Sequence, residues 1–192
     1  MQLLAKLNAT SLFLQELVTK PREIGAILPS SRNLAHAMAR WLPARSDAYA
    51  LELGPGTGSV SEALLERGLR EDRLIAIEQS PKMADLLRKR FPRATIITGD
   101  AFQLDELLKF FPRAAANVGM VFSSLPLLNF EEHIADTLAQ KIRTLLPAGG
   151  RLVQYSYHLG NKQPKAAEHF RCVASNISWF NLPPARVSVY QK

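Results

Sequence analysis

Apolar positions along this chain change their period repeatedly, and the changes mark out its elements. In residues 1–20, Leu3, Leu4, Leu7, Thr10, Ser11, Leu14, Leu17 and Val18 share one helical face roughly 140° wide at about 100° per residue. Lys6, Asn8, Gln15, Glu16 and Lys20 lie off the centre of that face, while Leu12 and Phe13 interrupt the polar side. A second helix is expected over residues 31–42, capped by Ser30 or Ser31. Short β-rich runs then alternate with helical patterns. Strands are expected at Tyr49–Leu53, Leu74–Glu78, Thr95–Thr98, 118–122 and 151–157, and helices at 60–67, 81–91, 105–111 and 131–146. Pro81 suits a first helical position, and Pro147 with the Gly149-Gly150 pair is suitable stop chemistry. After the fifth strand, residues 171–175 and 186–190 are β-prone around Asn181-Leu182-Pro183-Pro184, which predicts a closing antiparallel hairpin in place of another crossover.

This order predicts an α/β fold, a mixed seven-stranded sheet with helices on both faces. A helical segment, residues 1–46, precedes residues 47–192, which carry the sheet. With 192 residues and 47% hydrophobic content, the chain can bury the core of one ordinary domain. The lone Cys172 cannot form an intrachain disulfide, and His36, His133, His158 and His169 are scattered without metal-ligand spacing, so no metal site is expected. No apolar run reaches the ~20 residues needed to cross a bilayer, and the first residues do not resemble a secretion signal. A reducing, cytoplasmic setting is expected.

Charge changes this picture because it is unevenly placed. The net charge is +7, yet residues 1–46 carry six Lys/Arg against two acids and residues 150–192 carry six against one. Residues between them come to -2, so the basicity lies on the terminal segments. Such a field favours anionic partners, a phospholipid surface or nucleic acid.

Chemistry concentrates in LELGPGTGSVSEALLERG, residues 51–68. A strand running into a glycine-rich turn and then a helix offers a ligand bare backbone N–H groups and a positive helix end. The pattern is Glu52, Gly54, Gly56, Gly58; the third glycine of a dinucleotide fingerprint would fall at position 59, which is Ser59. Glu78 ends the second strand twenty residues after Gly58, placed for a carboxylate to take a ribose diol. Asp100 and Ala101 follow the third strand, where an acid can accept from an adenine amino group with Phe102 beside the ring. Each acid alone reads equally as a helix cap or a solvated residue; their ordered set points to one crevice.

The segments LELGPGTG, IAIEQS and TGDA resemble the first three motifs of Rossmann-like S-adenosylmethionine-dependent methyltransferases. That resemblance implies the cofactor S-adenosyl-L-methionine. It implies Gly54, Gly56 and Gly58 around the methionine part, Glu78 on the ribose, Asp100 with Ala101 on the adenine, and Glu52 orienting the glycine loop. Gln79 of IAIEQS and Ser123, after the fourth strand, complete the expected cofactor set.

Acceptor choice is expected in the loop FSSLPLLNF, residues 122–130, which is unusually apolar. It has Ser-Leu-Pro-Leu where enzymes acting on exocyclic or amide nitrogens place Asn or Asp, then prolines and an aromatic. This stretch, with KPREIGAILPSSRNLAHAMA upstream, resembles bacterial phospholipid N-methyltransferases, relatives of ribosomal RNA adenine dimethyltransferases. The resemblance implies methylation of phosphatidylethanolamine by a peripheral enzyme on the inner face of the cell membrane. RNA adenine or a small molecule is the alternative acceptor. Residues 1–20 then read either as a lid or as a helix lying in the membrane interface. Arg22, Arg32 and Arg40 are candidates for lipid phosphate, and Tyr155, Tyr157 and His158, ending the fifth strand, are candidates to orient the amine or take its proton.

Overall fold

A computed structural model of the chain describes residues 29–44, 47–125, 130–157, 168–179 and 184–192. The amphipathic stretch over residues 1–20, Arg22, His158, positions 126–129 of the acceptor loop and Asn181-Leu182-Pro183 lie outside the described residues.

Seven strands form one sheet: β1 (Tyr49–Leu53), β2 (Leu74–Glu78), β3 (Thr95–Thr98), β4 (Val118–Ser123), β5 (Arg151–Ser156), β6 (Arg171–Ser178) and β7 (Ala185–Gln191). Their order is β3-β2-β1-β4-β5-β7-β6. The first five strands run parallel, and β7 pairs antiparallel with both β5 and β6. The helices are α1 (Pro29–Ala39), α2 (Ser59–Glu66), α3 (Pro81–Arg90), α4 (Leu104–Leu108), α5 (Pro112–Ala115) and α6 (Glu132–Leu145).

The strands alternate, and each face meets its own helices. Leu51, Leu53, Ile75, Ile77, Val121 and Leu152 bury against Leu104 and Leu108 of α4 and Leu138 and Ile142 of α6. Ala50, Leu74, Met120, Phe122, Val153 and Val187 bury against Leu34 and Met38 of α1 and Ala63 and Leu64 of α2. Because α1 packs into this second layer, the core extends upstream of the sheet.

Two local expectations give way. The helix expected over residues 105–111 ends early, at Leu108 of α4, because Pro112 cannot donate a backbone bond and restrains Phe111; Pro112 opens α5 instead. Ser30 and Ser31 stand inside α1 and not ahead of it, since the helix already begins at Pro29, a residue suited to a first turn. At α3 the signal and the structure agree. Ser80 caps α3, its hydroxyl accepting from the Met83 N–H at 3.4 Å, with Pro81 next in the chain.

Strand order reverses beside β1, with β2 on one flank and β4 on the other. At such a switch point the connections leave in opposite directions and open a crevice at the carboxyl ends of the strands.

Candidate functional site

Four strand ends are laced together at that crevice by backbone bonds. The Gly54 N–H donates to Ile77 O at 3.0 Å, the Gly99 N–H to Glu78 O at 3.0 Å, and the Ser124 N–H to Leu53 O at 2.9 Å. The loops after β1, β2, β3 and β4 are therefore set relative to one another before any ligand arrives.

The three glycines between β1 and α2 all have positive φ: 68° at Gly54, 56° at Gly56 and 86° at Gly58. They differ in what surrounds them. A Cβ on Gly54 would stand 2.7 Å from Leu125 Cδ2, and one on Gly58 would stand 2.7 Å from Leu87 Cδ2 and 2.8 Å from Phe91 Cε2. A Cβ on Gly56 would meet nothing within 4 Å. Gly54 thus lets the loop after β4 sit on the glycine loop, and Gly58 lets α3 pack beneath it. Gly56 has no protein neighbour to accommodate, and its bare backbone borders open space.

Glu78 joins the loop to the second strand. Only 7% exposed, its carboxylate accepts from the Gly56 N–H at 2.9 Å through Oε2 and from the Ser80 N–H at 2.9 Å through Oε1. Each oxygen keeps a further lone pair for a diol donor. Exposed Gln79 follows it at the strand end.

Glu52 is fully enclosed. Its Oε2 accepts from the Ser61 hydroxyl at 2.5 Å, while Oε1, also buried, has no hydrogen-bond partner. Burial pushes its pKa from 4.5 up to about 7, against the lowering effect of Ser61, with the nearby charge of Glu78 adding to the rise. An unsatisfied carboxylate oxygen in so closed a place is costly unless something positive or protic meets it.

Asp100 caps the short turn Ala101–Gln103, its Oδ1 accepting from the Phe102 N–H at 3.0 Å, and Ala101 is buried beside it. Ser123 is wholly buried at the end of β4, in register with Leu53, and its hydroxyl accepts from the Leu125 N–H at 3.4 Å. The structure therefore brings Glu52, Gly54, Gly56, Gly58, Glu78, Asp100, Ala101 and Ser123 to one edge of the sheet.

Three features of this edge escape a linear reading. Phe102 and Phe130 meet edge to face at 5.1 Å, and Lys141 of α6 donates to Phe102 O at 2.8 Å and Asp105 Oδ1 at 2.6 Å, tying α6 to the turn after β3. Leu125 against Gly54 is the third. These contacts are long-range, with no signal in local spacing.

On the antiparallel side, Tyr155 and Tyr157 meet edge to face at 5.5 Å. Burial holds the Tyr155 hydroxyl far above its ordinary pKa, and Tyr157 reinforces the effect. Burial therefore disfavours the anionic form of Tyr155, while Tyr157 is 46% exposed.

S-adenosylmethionine fits this residue set. A cofactor carrying a sulfonium and an ammonium suits the uncompensated Glu52 oxygen, and bare backbone at Gly56 beside the Glu78 carboxylate leaves room for its ribose and methionine parts. Among the described residues no group of His, Cys, Asp or Glu is arranged to hold a metal ion.

Known proteins are similar in the same places. A family model described as a methyltransferase domain matches residues 50–150. An ornithine lipid N-methyltransferase of Singulisphaera acidiphila is 28% identical over 177 residues, covering 91% of each chain. A ribosomal RNA small subunit methyltransferase A of Hydrogenobaculum is 32% identical over 87 residues, which are 45% of this chain and 34% of that one. In structure, the 1,6-didemethyltoxoflavin-N1-methyltransferase of Burkholderia thailandensis, solved with S-adenosylhomocysteine, superposes with a TM-score of 0.72 at 18% identity, covering 96% of this chain and 87% of that one.

Proposed function

The chain belongs to the methyltransferase domain family and is an S-adenosylmethionine-dependent methyltransferase, and from that premise we propose that it N-methylates the amine of a membrane-lipid headgroup, with phosphatidylethanolamine as the expected acceptor. One observation carries the reading. Similarity to the lipid N-methyltransferase runs through 91% of both chains, whereas the ribosomal RNA relative matches 45% of this one. The lipid likeness therefore reaches well beyond the cofactor motifs, into the segments where acceptors are chosen. Ornithine lipid and phosphatidylethanolamine share the relevant chemistry, an amine on a lipid headgroup.

When bound, S-adenosylmethionine supplies a methyl group on a positive sulfur, open to in-line displacement. The protein's task is then alignment and proton removal. An ammonium with a pKa near 10 must lose a proton before its lone pair exists. Tyr157, which follows β5, and His158, next in the sequence and outside the described residues, are the groups proposed to orient the amine and take that proton. The face of the Tyr157 ring suits the increasingly methylated cation, an attraction of about 0.5–2 kcal/mol. Ser123, Ser124 and Leu125 hold the acceptor loop against the glycine loop, so the two reactants are set on one piece of backbone. Among the described residues no helix is long and apolar enough to cross a membrane, and the proposed enzyme works from the membrane surface.

Transfer of labelled methyl to vesicles tests the reading. Vesicles of phosphatidylethanolamine and of ornithine lipid, each with and without anionic lipid, are run beside unmodified small ribosomal subunits. Label in mono- or dimethylated lipid is the expected result, and the two vesicle types separate the acceptors. Label in RNA and none in lipid would overturn it.

A further inference from the structure

We propose that the rim formed by the carboxyl ends of β5 and β6 and the amino end of β7 is a membrane-docking edge, with Trp179 as its interfacial anchor and an anionic bilayer as its partner. The proposal rests on the lipid reading above and goes further, by saying which part of the molecule meets the bilayer. Register supplies the first argument. Ser156 of β5 and Ile177 of β6 both pair with Arg186 of β7, and Ser178 pairs with Ala185. Tyr157 and Trp179 therefore leave their strands at the same end of the sheet, and for β5 that is also the end at which the parallel strands present the glycine loop, Glu78 and Ser123.

Exposure supplies the second argument. Trp179 is 67% exposed and Tyr157 is 46% exposed, although both are large amphipathic rings that globular surfaces usually cover. Such rings prefer the boundary between acyl chains and headgroups, with the ring body apolar and the polar tip wet. Tyr157 meets Tyr155 at 5.5 Å and so reaches outward from a partly buried neighbour.

Charge supplies the third. Residues 150–192 contain one acid, Glu168, and it lies just before the start of β6, at the opposite end of that strand from Trp179. Residues 171–192 hold no acid at all, and Arg186 of β7 stands at the Trp179 end of the ladder, while Arg171 and Lys192 lie at the other end with Glu168. At this edge an anionic surface meets no like charge from the two strands and is drawn to Arg186 within about a Debye length, ~8–10 Å. Docked by this edge, the protein would face its acceptor crevice toward the bilayer, and the lipid amine would need to rise only as far as the headgroup layer.

Indole fluorescence of the full chain reads the contact directly. The probe is a vesicle of phosphatidylethanolamine with anionic phosphatidylglycerol, with and without brominated acyl chains. Emission of the wild-type chain is expected to shift to the blue and to be quenched by bromine. Trp179→Phe, which keeps an apolar ring, should lose that response. Trp179→Ala should bind vesicles about tenfold more weakly, with affinity for S-adenosylmethionine unchanged. Lipid methylation without any vesicle response from Trp179 would overturn the docking edge and leave the acceptor assignment standing. A clear Trp179 response with no methylated lipid would do the reverse, supporting the edge while the acceptor assignment fails.

Discussion

The two halves of the sheet are built on opposite terms. Around β1, β2, β3 and β4 the strand ends are locked to each other by backbone bonds, and the Glu78 carboxylate ties the glycine loop to the turn at Ser80. Across β5, β7 and β6 the strands are held by antiparallel ladders, and the end at which β5 and β6 finish carries exposed Tyr157 and Trp179. A cofactor of constant shape is best served by a preorganised cradle, because no binding energy then goes into ordering it. On the proposed reading a lipid headgroup arrives attached to a surface, and the half proposed to meet it presents side chains outward.

The largest expected effect lies inside the cradle and separates glycines that look equivalent in the sequence. Gly56→Val puts a side chain into open space beside Glu78, so S-adenosylmethionine affinity should fall more than about a hundredfold, while stability drops by only the ~1–2 kcal/mol of a left-handed non-glycine residue. Gly58→Ala behaves the other way. Its Cβ runs into Leu87 and Phe91, both buried, and the chain should lose roughly 2–4 kcal/mol of stability. Calorimetric titration and thermal melts of both variants check the contrast. Equal losses of affinity and stability in the two would mean that the loop acts as one packing unit and that the open space at Gly56 is not the cofactor's.

That contrast also marks how far a linear reading reaches. The strands Tyr49–Leu53, Leu74–Glu78 and Thr95–Thr98 were legible to the residue, because β-branched and aliphatic runs there end in Gly, Ser or Asp. The acids and glycines of the crevice were legible because strand-end positions follow from element order. The reasons behind the glycines were not: Leu125 lies 71 residues after Gly54, and Leu87 lies 29 after Gly58. The Phe102–Phe130 pair and the Lys141 tie were silent for the same reason. Pro112 was in view, but its effect depends on helix length, a balance that spacing alone does not settle.

Glu52 offers a smaller effect with a sign. Its carboxyl is raised from 4.5 to about 7 when folded. Below pH 4.5 it is protonated in both folded and unfolded chains and contributes nothing. Between pH 4.5 and about 7 the folded chain keeps a proton that the unfolded chain releases, so stability falls as pH rises, by about 1.4 kcal/mol per unit. Above pH 7 the full cost, about 3 kcal/mol, is in place. Glu52→Gln removes this slope. The variant should melt near the wild type at pH 4.5 and higher than it above pH 7, while its affinity for a cofactor that carries a sulfonium and an ammonium falls about tenfold. Parallel melting profiles for the two chains would show that Glu52 is not the group that titrates.

The smallest effect belongs to the outward half, where single contacts are weak and exposed. Tyr157→Ala removes a ring face that attracts a methylated ammonium by about 0.5–2 kcal/mol, so KM for lipid should rise roughly 2- to 30-fold with S-adenosylmethionine affinity unchanged. Tyr157→Phe keeps the face and loses only the hydroxyl. If the ring alone matters, Tyr157→Phe keeps the wild-type KM and kcat at every pH. If the hydroxyl also handles the amine proton, kcat falls and its pH profile moves while KM stays, because proton removal belongs to the chemical step and not to capture of the headgroup. Wild-type values in both variants would take Tyr157 out of the acceptor site and leave the cofactor cradle as the only half with a residue-level account.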